Sequence, residues 1–406
     1  MYISRYLETA IKQAHQTFKV VYVSGPRQVG KTTVLQHLAK QYRLRYVSLD
    51  NLADRQLAQS DPGLFLQQYQ APLFIDEVQY APQLFSEIKL RVDQHSATGQ
   101  YWLTGSQQFA MIKNVQESLT GRVAIVNLLG FSTAEILRLK KPTEPFTLTR
   151  QLPSTYPWSA TNHSIFERIH RGSFPALWQN RPPNPTTFFN AYIQTYIDRD
   201  LRVLYGIEKT REFHVFLQLC AARTGQWLNY SDLARDAAVS VPTAKDWLSI
   251  LEQTMLVWLL RPYHTNRIKR LIKAPKLYFL DTGLAAFLTK WRSPDTLAQG
   301  AMAGAFFETF VVSEIVKSYL FRGEDPPLYG FRDGQGREID LIIVQNETLT
   351  PIEIKRAVYS TTADAKQIQF LQNKLPSVGI GGIICLTKHL TKLNSTTILA
   401  PVGLIS

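Results

Sequence analysis

The chain has 406 residues, of which 45% are hydrophobic, and a formal net charge of +13. This length predicts two to four domains with cores of their own, and the excess of positive charge favours nucleic acid as a partner. Only two cysteines are present, Cys220 and Cys385, without a pairing pattern, which excludes a disulfide or zinc framework. No signal peptide or membrane span is indicated, because the longest apolar stretch, residues 301–316, is short and contains two glutamates. We therefore expect a soluble, cytoplasmic protein.

The first motif is formed by residues 25–32, which match G-x-x-x-x-G-K-[ST] at every fixed position. Residues 19–24 before it predict a buried strand, and residues 33–40 after it predict a helix. Such a loop bends backbone N–H groups around a phosphate at the positive end of a helix. We expect Lys31 to reach the β- and γ-phosphates of ATP and Thr32 to bind Mg²⁺. The predicted nucleotide-binding residues are Gly25, Pro26, Arg27, Gln28, Val29, Gly30, Lys31, Thr32, Thr33 and Ser106.

Acidic and basic residues further along this region predict the remaining parts of a nucleotide site. The apolar strand 73–75 runs into Asp76, which is expected to hold Mg²⁺ through water, and Glu77, which is expected to polarise the attacking water. Ser106 follows the next strand and is suited to sense the γ-phosphate. Arg122 is predicted to stabilise transition-state charge in a neighbouring subunit, which requires a homo-oligomer, although an ordinary surface arginine is the alternative.

The order of these motifs resembles the archaeal-type AAA+ ATPases found in bacteria and archaea. In that family the ATPase precedes a winged helix and a C-terminal domain, and the resemblance covers nearly the whole chain. Residues 171–176 are similar to the Gly-Gly-Phe-Pro-Glu signature of the family but differ at Ser173 and Ala176, so no function is assigned to them. The expected organisation is an AAA+ P-loop core over residues 1–135 and a helical lid and linker over residues 136–212.

Residues 213–292 predict a winged helix-turn-helix. Helices over 213–223 and 232–238 precede a third helix that opens at Pro242 or Thr243, and residues 255–260 and 276–280 predict the two strands of a wing. A basic stretch between these strands would lie against DNA phosphates, although a domain of this fold can also serve only as a spacer or oligomer contact. The basic stretch consists of Arg261, Arg267, Lys269, Arg270, Lys273 and Lys276. The predicted DNA-binding residues are Thr243, Lys245, Arg267, Lys269, Arg270 and Lys273.

Residues 293–406 contain a second set of acidic residues that predicts a catalytic site. Two predicted strands carry Asp340 and the pair Glu353 and Lys355, which share one strand face because they are two residues apart. Glu308, on a predicted apolar helix, can supply another carboxylate, and such a group can bind one or two Mg²⁺ ions and activate a water. An exposed charged strand is the alternative for the Glu-x-Lys triplet alone.

These residues together resemble the PD-(D/E)xK nucleases. The resemblance implies that Glu308, Asp340 and Glu353 bind metal, that Glu353 and Lys355 are catalytic, and that Gln367 completes the site. The expected fold class is α/β: a P-loop AAA+ module with a helical lid, a winged helix-turn-helix and a C-terminal restriction-endonuclease-like α/β domain.

Three functions are compatible with these motifs. The first is an ATP-driven enzyme that cuts duplex or branched DNA with Mg²⁺. The second is an ATP-controlled DNA-binding regulator or assembly switch whose nuclease-like domain does not cut. The third is a protein-directed AAA+ switch in which the positive charge is incidental.

Overall fold

A computed structural model describes residues 2–105, 118–140, 144–148, 161–196, 206–264 and 274–405 of the chain. The chain forms two compact units. The first unit comprises Met1–Lys141, Gln253–Met255 and Tyr319–Asp325, and the second comprises Pro142–Glu252, Leu256–Ser318 and Pro326–Ser406. The segments predicted as a lid, a winged helix and a nuclease-like domain thus fall mainly in the second unit.

The first unit is built on a five-stranded sheet in the order β2-β3-β4-β1-β5, and all of its neighbouring strands are parallel. Its strands are β1 (Val20–Ser24), β2 (Arg45–Ser48), β3 (Leu73–Asp76), β4 (Tyr101–Thr104) and β5 (Val123–Asn127). Its helices are α1 (Glu8–Thr17), α2 (Lys31–Tyr42), α3 (Leu52–Ser60), α4 (Pro62–Gln68), α5 (Leu84–Gln94) and α6 (Thr133–Ile136).

The central strands of this sheet are apolar runs rather than alternating patterns. Every residue of β1, β3 and β4 is buried, as parallel strands covered on both faces require. In a sheet of parallel strands the carboxyl ends all meet at one edge, where ligands bind. The loop after β1 and the acidic pair after β3 therefore lie at the same edge.

The second unit begins with helices α7 (Asn162–Arg171) and α8 (Pro185–Tyr192). The helix–sheet segment, residues 210–279, follows. It contains α9 (Thr210–Ala222), β6 (Gln226–Trp227), α10 (Tyr230–Asp236), α11 (Val241–Gln253), β7 (Val257–Leu260) and β8 (Lys276–Phe279). Its strands form an antiparallel sheet in the order β6-β8-β7, so that β8 is the central strand. These elements match the predicted helices and the two predicted strands to within a few residues.

The C-terminal part of the second unit contains a six-stranded mixed sheet in the order β13-β14-β12-β11-β10-β9. Its strands are β9 (Leu328–Arg332), β10 (Glu338–Gln345), β11 (Thr348–Ile354), β12 (Gly381–Cys385), β13 (Thr391–Lys392) and β14 (Thr397–Pro401). The accompanying helices are α12 (Thr282–Leu288), α13 (Pro294–Gln299), α14 (Ala303–Leu320) and α15 (Lys366–Lys374). Strands β9, β10 and β11 are antiparallel, whereas β12 runs parallel to β11 after the crossover through α15.

The segment after α7, which differs from the family signature, is held by the start of α12. Gly172 has φ +79°, and a Cβ added there would lie 2.6 Å from Asp281 Oδ1. Asp281 Oδ2 accepts hydrogen bonds from Ser173 N at 2.6 Å and Ser173 Oγ at 2.7 Å. Asp281 Oδ1 also accepts from Leu284 N at 2.7 Å and so caps α12. Ser173, one of the two departures from the signature, is therefore a structural contact.

Cys220 and Cys385 are both buried and both free, in agreement with the absence of a pairing pattern. Burial raises the pKa of each thiol above its usual range. Within the described ranges, no helix has the length and apolarity needed to cross a bilayer.

Candidate functional site

The loop between β1 and α2 has the backbone that its glycines require. Gly25 has φ +144°, and a Cβ there would lie 1.9 Å from the carbonyl oxygen of Leu128. Gln28 and Gly30 also have positive φ, and α2 begins directly after Gly30. The start of α2 carries the positive end of a helix dipole, which suits a phosphate group. The predicted P-loop therefore has both the sequence and the backbone of a phosphate site.

Lys31 lies inside this loop and is buried. Its Nζ donates hydrogen bonds to the carbonyl oxygens of Gly25 at 2.9 Å and Pro26 at 2.8 Å. Burial lowers the pKa of Lys31 to about 8, although nearby Glu77 and Asp76 oppose this shift. The loop thus keeps an ammonium group against its backbone, where an anionic phosphate would restore the charge that burial disfavours.

Asp76 receives hydrogen bonds from three hydroxyl groups. Thr32 Oγ1 donates to Asp76 Oδ1 at 3.0 Å, Tyr46 OH donates to Oδ2 at 3.1 Å, and Thr104 Oγ1 donates to Oδ1. The adjacent Thr32 hydroxyl and Asp76 carboxylate are hard oxygen donors of the kind that Mg²⁺ prefers, so these residues fit that ion. The sequence motif predicted Thr32 and Asp76 but missed Tyr46 and Thr104, which lie on the neighbouring strands.

Glu77 is held beside Asp76 by contacts that the motif did not predict. Its φ is +56°, and its backbone N donates to Thr104 Oγ1 at 3.2 Å. Gln79 Nε2 donates to Glu77 Oε2, and the Gln79 side chain is buried. The carboxylate of Glu77 is therefore oriented from both its backbone and its side chain.

A buried arginine from the N-terminal segment, Arg5, binds the backbone of the P-loop. Arg5 Nη1 donates to the carbonyl oxygen of Val29 at 2.9 Å, and Arg5 Nε pairs with Glu135 at 3.1 Å. Both side chains are almost fully buried. No local pattern marks Arg5, because its ion-pair partner is 130 residues away in the sequence.

Arg122 and Ser106 are two further predicted residues of the nucleotide site. Arg122 forms a bidentate ion pair with Asp93, in which Nε lies 2.5 Å from Oδ1 and Nη2 lies 2.9 Å from Oδ2. Its predicted role in a neighbouring subunit stays a prediction, and it would require this pair to open. Ser106 lies outside the described residues.

The second group of predicted residues is the carboxylate cluster, which we define as Glu308, Asp340 and Glu353. Glu308 lies on α14, Asp340 on β10 and Glu353 on β11. A register shift between β9 and β10 falls at residues 339–342, next to Asp340, and such an irregularity redirects a side chain. Lys355 Nζ lies 2.8 Å from Glu353 Oε2 and 3.8 Å from Asp340 Oδ2, so the structure brings these predicted residues together.

A lysine of the helix–sheet segment also enters the carboxylate cluster. Lys276 Nζ lies 2.5 Å from Glu308 Oε1 and 3.2 Å from Asp340 Oδ1, and its side chain is 4% exposed. Tyr278 OH donates to Glu308 Oε1, and the backbone N of Ile354 donates to Asp340 Oδ2 at 2.9 Å. The basic stretch predicted from the sequence therefore needs correction, because Lys276 is buried among acids and Arg261 pairs with Glu252 at 2.9 Å.

Burial raises the pKa of two carboxyl groups of the cluster, those of Glu308 and Glu353. Burial and the neighbouring Asp340 raise the pKa of Glu308 to about 7 and that of Glu353 to about 8. Burial alone would lower the pKa of Lys276, but Glu308 and Asp340 raise it above its usual value.

The carboxylate cluster does not fit a metal ion in this arrangement. One oxygen each of Glu308 and Asp340 is bound by Lys276, and Glu353 Oε2 is bound by Lys355. Across the described part of the chain, no group of at least three His, Cys, Asp or Glu side chains is placed to hold a metal. Gln367, the predicted last member of the site, lies at the start of α15 and is partly buried.

The predicted DNA-binding residues are only partly described. Thr243 is near the start of α11, and its Oγ1 lies 2.8 Å from Ser240 Oγ. Lys245 is exposed, and its Nζ lies 5.2 Å from the ring centre of Tyr230. The other predicted DNA-binding residues, Arg267, Lys269, Arg270 and Lys273, lie outside the described residues.

Comparison with known families identifies the first of these regions. Residues 17–137 match the family described as AAA domain. The N-terminal part of the chain has an AAA-type P-loop ATPase fold. Residues 162–295 and 303–405 match two families that are each described as a domain of unknown function, DUF8612 and DUF4143.

Two mycobacterial proteins are similar to this chain over almost its whole length, and two solved structures are similar to a smaller part of it. Uncharacterized protein Mb2031c of Mycobacterium bovis and Uncharacterized protein Rv2008c of Mycobacterium tuberculosis are each 26% identical over 393 residues, covering 96% of this chain and 82% of the relative. Among solved structures, the Walker-type ATPase PABY2304 of Pyrococcus abyssi is 13% identical with a TM-score of 0.41, covering 70% of this chain and 94% of that chain. A variant of RuvB from Thermotoga maritima is 14% identical with a TM-score of 0.27, covering 62% and 87%.

Proposed function

We propose that this protein is a Mg²⁺-dependent ATPase of the AAA+ class. The observation that carries the proposal is the contact between Thr32 and Asp76, which joins the P-loop to the acidic end of β3. Lys31 would bind the phosphates of ATP, and Glu77 would accept a proton from the attacking water. Thr32 and Asp76 would hold Mg²⁺, which when bound neutralises phosphate charge.

ATP hydrolysis by Lys31→Ala, Asp76→Asn and Glu77→Gln variants tests this proposal. We expect Lys31→Ala to lose nucleotide binding, and Glu77→Gln to retain bound ATP while its kcat falls by about 10²–10⁴-fold. Lys40→Ala removes an exposed lysine from the last turn of the same helix and serves as the matched control. Wild-type turnover by both Lys31→Ala and Glu77→Gln would refute the assignment.

We further propose that the protein acts on DNA, duplex or branched, as an ATP-controlled regulator or assembly switch whose nuclease-like domain does not cut. The positive net charge and the exposed Lys245 on α11, in the segment predicted as a winged helix, support DNA binding. The proximity of Asp340, Glu353 and Lys355, which the resemblance to the PD-(D/E)xK nucleases implies, supports a nuclease-like domain. The contact of Lys276 with Glu308 and Asp340 favours this non-cutting form over the form that cuts with metal.

Binding and cutting of labelled DNA separate the two forms. We expect duplex or four-way-junction DNA to bind with an affinity that falls steeply between about 50 and about 200 mM salt, because phosphate contacts release counterions. Lys245→Ala should weaken binding more than Lys366→Ala, which removes the same charge from an exposed position on α15. DNA cleavage in Mg²⁺ or Mn²⁺ that is lost in Glu353→Ala/Lys355→Ala would instead support the cutting form.

A further inference from the structure

Lys276 bridges two residues of the carboxylate cluster, Glu308 and Asp340, in the manner of a bound cation. Its ammonium group contacts Glu308 at 2.5 Å and Asp340 at 3.2 Å, and these two carboxylates come from different elements, α14 and β10. Bridging oxygens from separate elements is what a metal ion does in a carboxylate site. A lysine provides the same bridge with one charge and three N–H donors.

The strand that carries Lys276 fixes it in this position. Strand β8 is the central strand of the sheet β6-β8-β7 and pairs on both sides. Tyr278 is two residues further along the strand, so it lies on the same face, and its hydroxyl donates to Glu308 as well. The pairing of β8 therefore keeps the backbone of Lys276 beside Glu308 and Asp340.

The balance of charge also opposes a metal ion in addition to Lys276. Even with all three carboxylates ionised, as metal binding requires, Lys276 and Lys355 leave one formal negative charge. A divalent cation would reverse that charge in a largely buried place, which is unfavourable without further anionic ligands. Without Lys276, the same carboxylates and Lys355 would carry two negative charges, which a divalent cation matches.

We propose that Lys276 is a built-in cation that takes the place of the catalytic metal in the carboxylate cluster, so that the second unit is held together without one. The proposal deepens the non-cutting form of the proposed function and rests on it. Lys276 thereby ties the helix–sheet segment to the C-terminal sheet through an ion-pair network. Replacing Lys276 by an uncharged side chain of similar length should create a metal site.

The test is a titration of the full chain with Mn²⁺ in the absence of nucleotide. The electron paramagnetic resonance signal of free Mn²⁺ measures how much of the ion is bound. We expect wild type to bind no more Mn²⁺ than Asp340→Asn. Lys276→Met should gain one site, and Lys276→Met/Asp340→Asn should lose it again. Residues next to metal ligands typically change metal affinity by about 10–100-fold. We therefore expect Lys276→Met to bind Mn²⁺ with an affinity at least about tenfold higher than that of wild type.

Lys317→Met is the matched control. Lys317 is also a buried lysine of the second unit, and it pairs with Glu314 at 2.8 Å on α14. Its replacement should disturb folding to a similar degree but create no Mn²⁺ site. If Lys276→Met does not fold, Lys276→Gln takes its place, and the wild-type measurement still decides.

Two results would overturn the proposal: Mn²⁺ binding by wild type that Asp340→Asn abolishes, or a folded Lys276 variant that gains no site. ATP hydrolysis measured on the same preparations keeps the outcomes separate. If wild type does not hydrolyse ATP, the proposed ATPase function is refuted, but the Mn²⁺-binding result remains valid. Cleavage of DNA by wild type with Mn²⁺ would refute the non-cutting form together with this inference.

Discussion

Glu77 begins the short turn after β3 with a left-handed backbone, φ +56°, which is uncommon for a residue with a side chain. Such a conformation costs of order 1–3 kcal/mol and persists at functional sites where surrounding contacts maintain it. Here the contacts come from Thr104 to the backbone and from Gln79 to the carboxylate. We infer that Gln79 positions Glu77, the residue proposed to activate water.

We predict that Gln79→Ala lowers kcat for ATP hydrolysis by about tenfold to 10²-fold, part of the contribution of a positioned general base. The Kd for ATP should change little, because Gln79 holds Glu77, whose proposed role is toward the attacking water rather than toward the phosphates. Steady-state hydrolysis and binding of a fluorescent ATP analogue measure the two quantities. Gln83→Ala, at an exposed position just before α5, is the control, and an equal change in Kd and kcat would contradict a positioning role.

The site residues that could be predicted from sequence are those whose partners lie nearby in the chain or in a fixed motif. Lys31, Thr32 and Asp76 belong to motifs whose chemistry dictates both residue type and spacing. Arg5 and Lys276 could not be predicted, because their partners lie 130 and 64 residues away and no short spacing relates them. Lys276 was moreover grouped with a basic stretch, where charge alone indicates a solvated face.

At the level of elements, the turn after α7 shows how one glycine joins two helices. Gly172 combines φ +79° with a close approach to Asp281, the capping residue of α12. A side chain at this position would strain the backbone and would have to displace the carboxylate of Asp281. The glycine of the signature-like segment is therefore needed for packing.

We predict that Gly172→Ala destabilises the second unit by at least about 1–3 kcal/mol, the cost of a strained backbone conformation. Displacement of Asp281 would add the loss of a helix cap, typically about 1 kcal/mol. Urea unfolding followed by circular dichroism measures the change. Gly304→Ala, at a helical position of α14 with open space around it, should instead be neutral or stabilising by about 0.5–1 kcal/mol; equal destabilisation by both would contradict the explanation.

The elements themselves were largely predictable, because periodicity and capping residues are local. Helix α10, predicted over residues 232–238, begins two residues earlier, after Asn229, whose side chain accepts from Ser231 N and Asp232 N. The hairpin between β10 and β11 turns at Asn346 and Glu347, both with positive φ, a conformation that asparagine tolerates better than most residues. The pairing of β6 with β8 was not predicted, since a two-residue strand has no pattern to detect.

At the scale of the whole molecule, each compact unit contains a partly buried histidine. His15 in the first unit packs between Tyr42 and Trp102, and its Nδ1 accepts from Trp102 Nε1 at 3.2 Å. His170 in the second unit lies 3.0 Å from the carbonyl oxygen of Trp291. Burial lowers the pKa of both imidazoles below the usual value of 6.5.

A pKa below its unfolded value means that the unfolded chain takes up protons first as the pH falls. The contribution of both histidines to stability is therefore complete above pH 6.5 and is lost as the pH falls from 6.5 towards their folded pKa values. We predict that His15→Gln/His170→Gln loses less stability than wild type between about pH 7.5 and about pH 5.5. Melting temperatures at the two pH values measure this difference. An identical loss of stability in both proteins would refute the explanation that the two histidines cause it.

Both native thiols are buried, and their raised pKa values leave little thiolate, the form that reacts with alkylating agents. The native chain should therefore react slowly with maleimide dyes without any cysteine having to be removed. A single cysteine introduced at an exposed position in each unit, such as Lys40→Cys and Lys366→Cys, would take up a donor and an acceptor fluorophore. Energy transfer between the two dyes would then report directly whether ATP changes the separation of the two units.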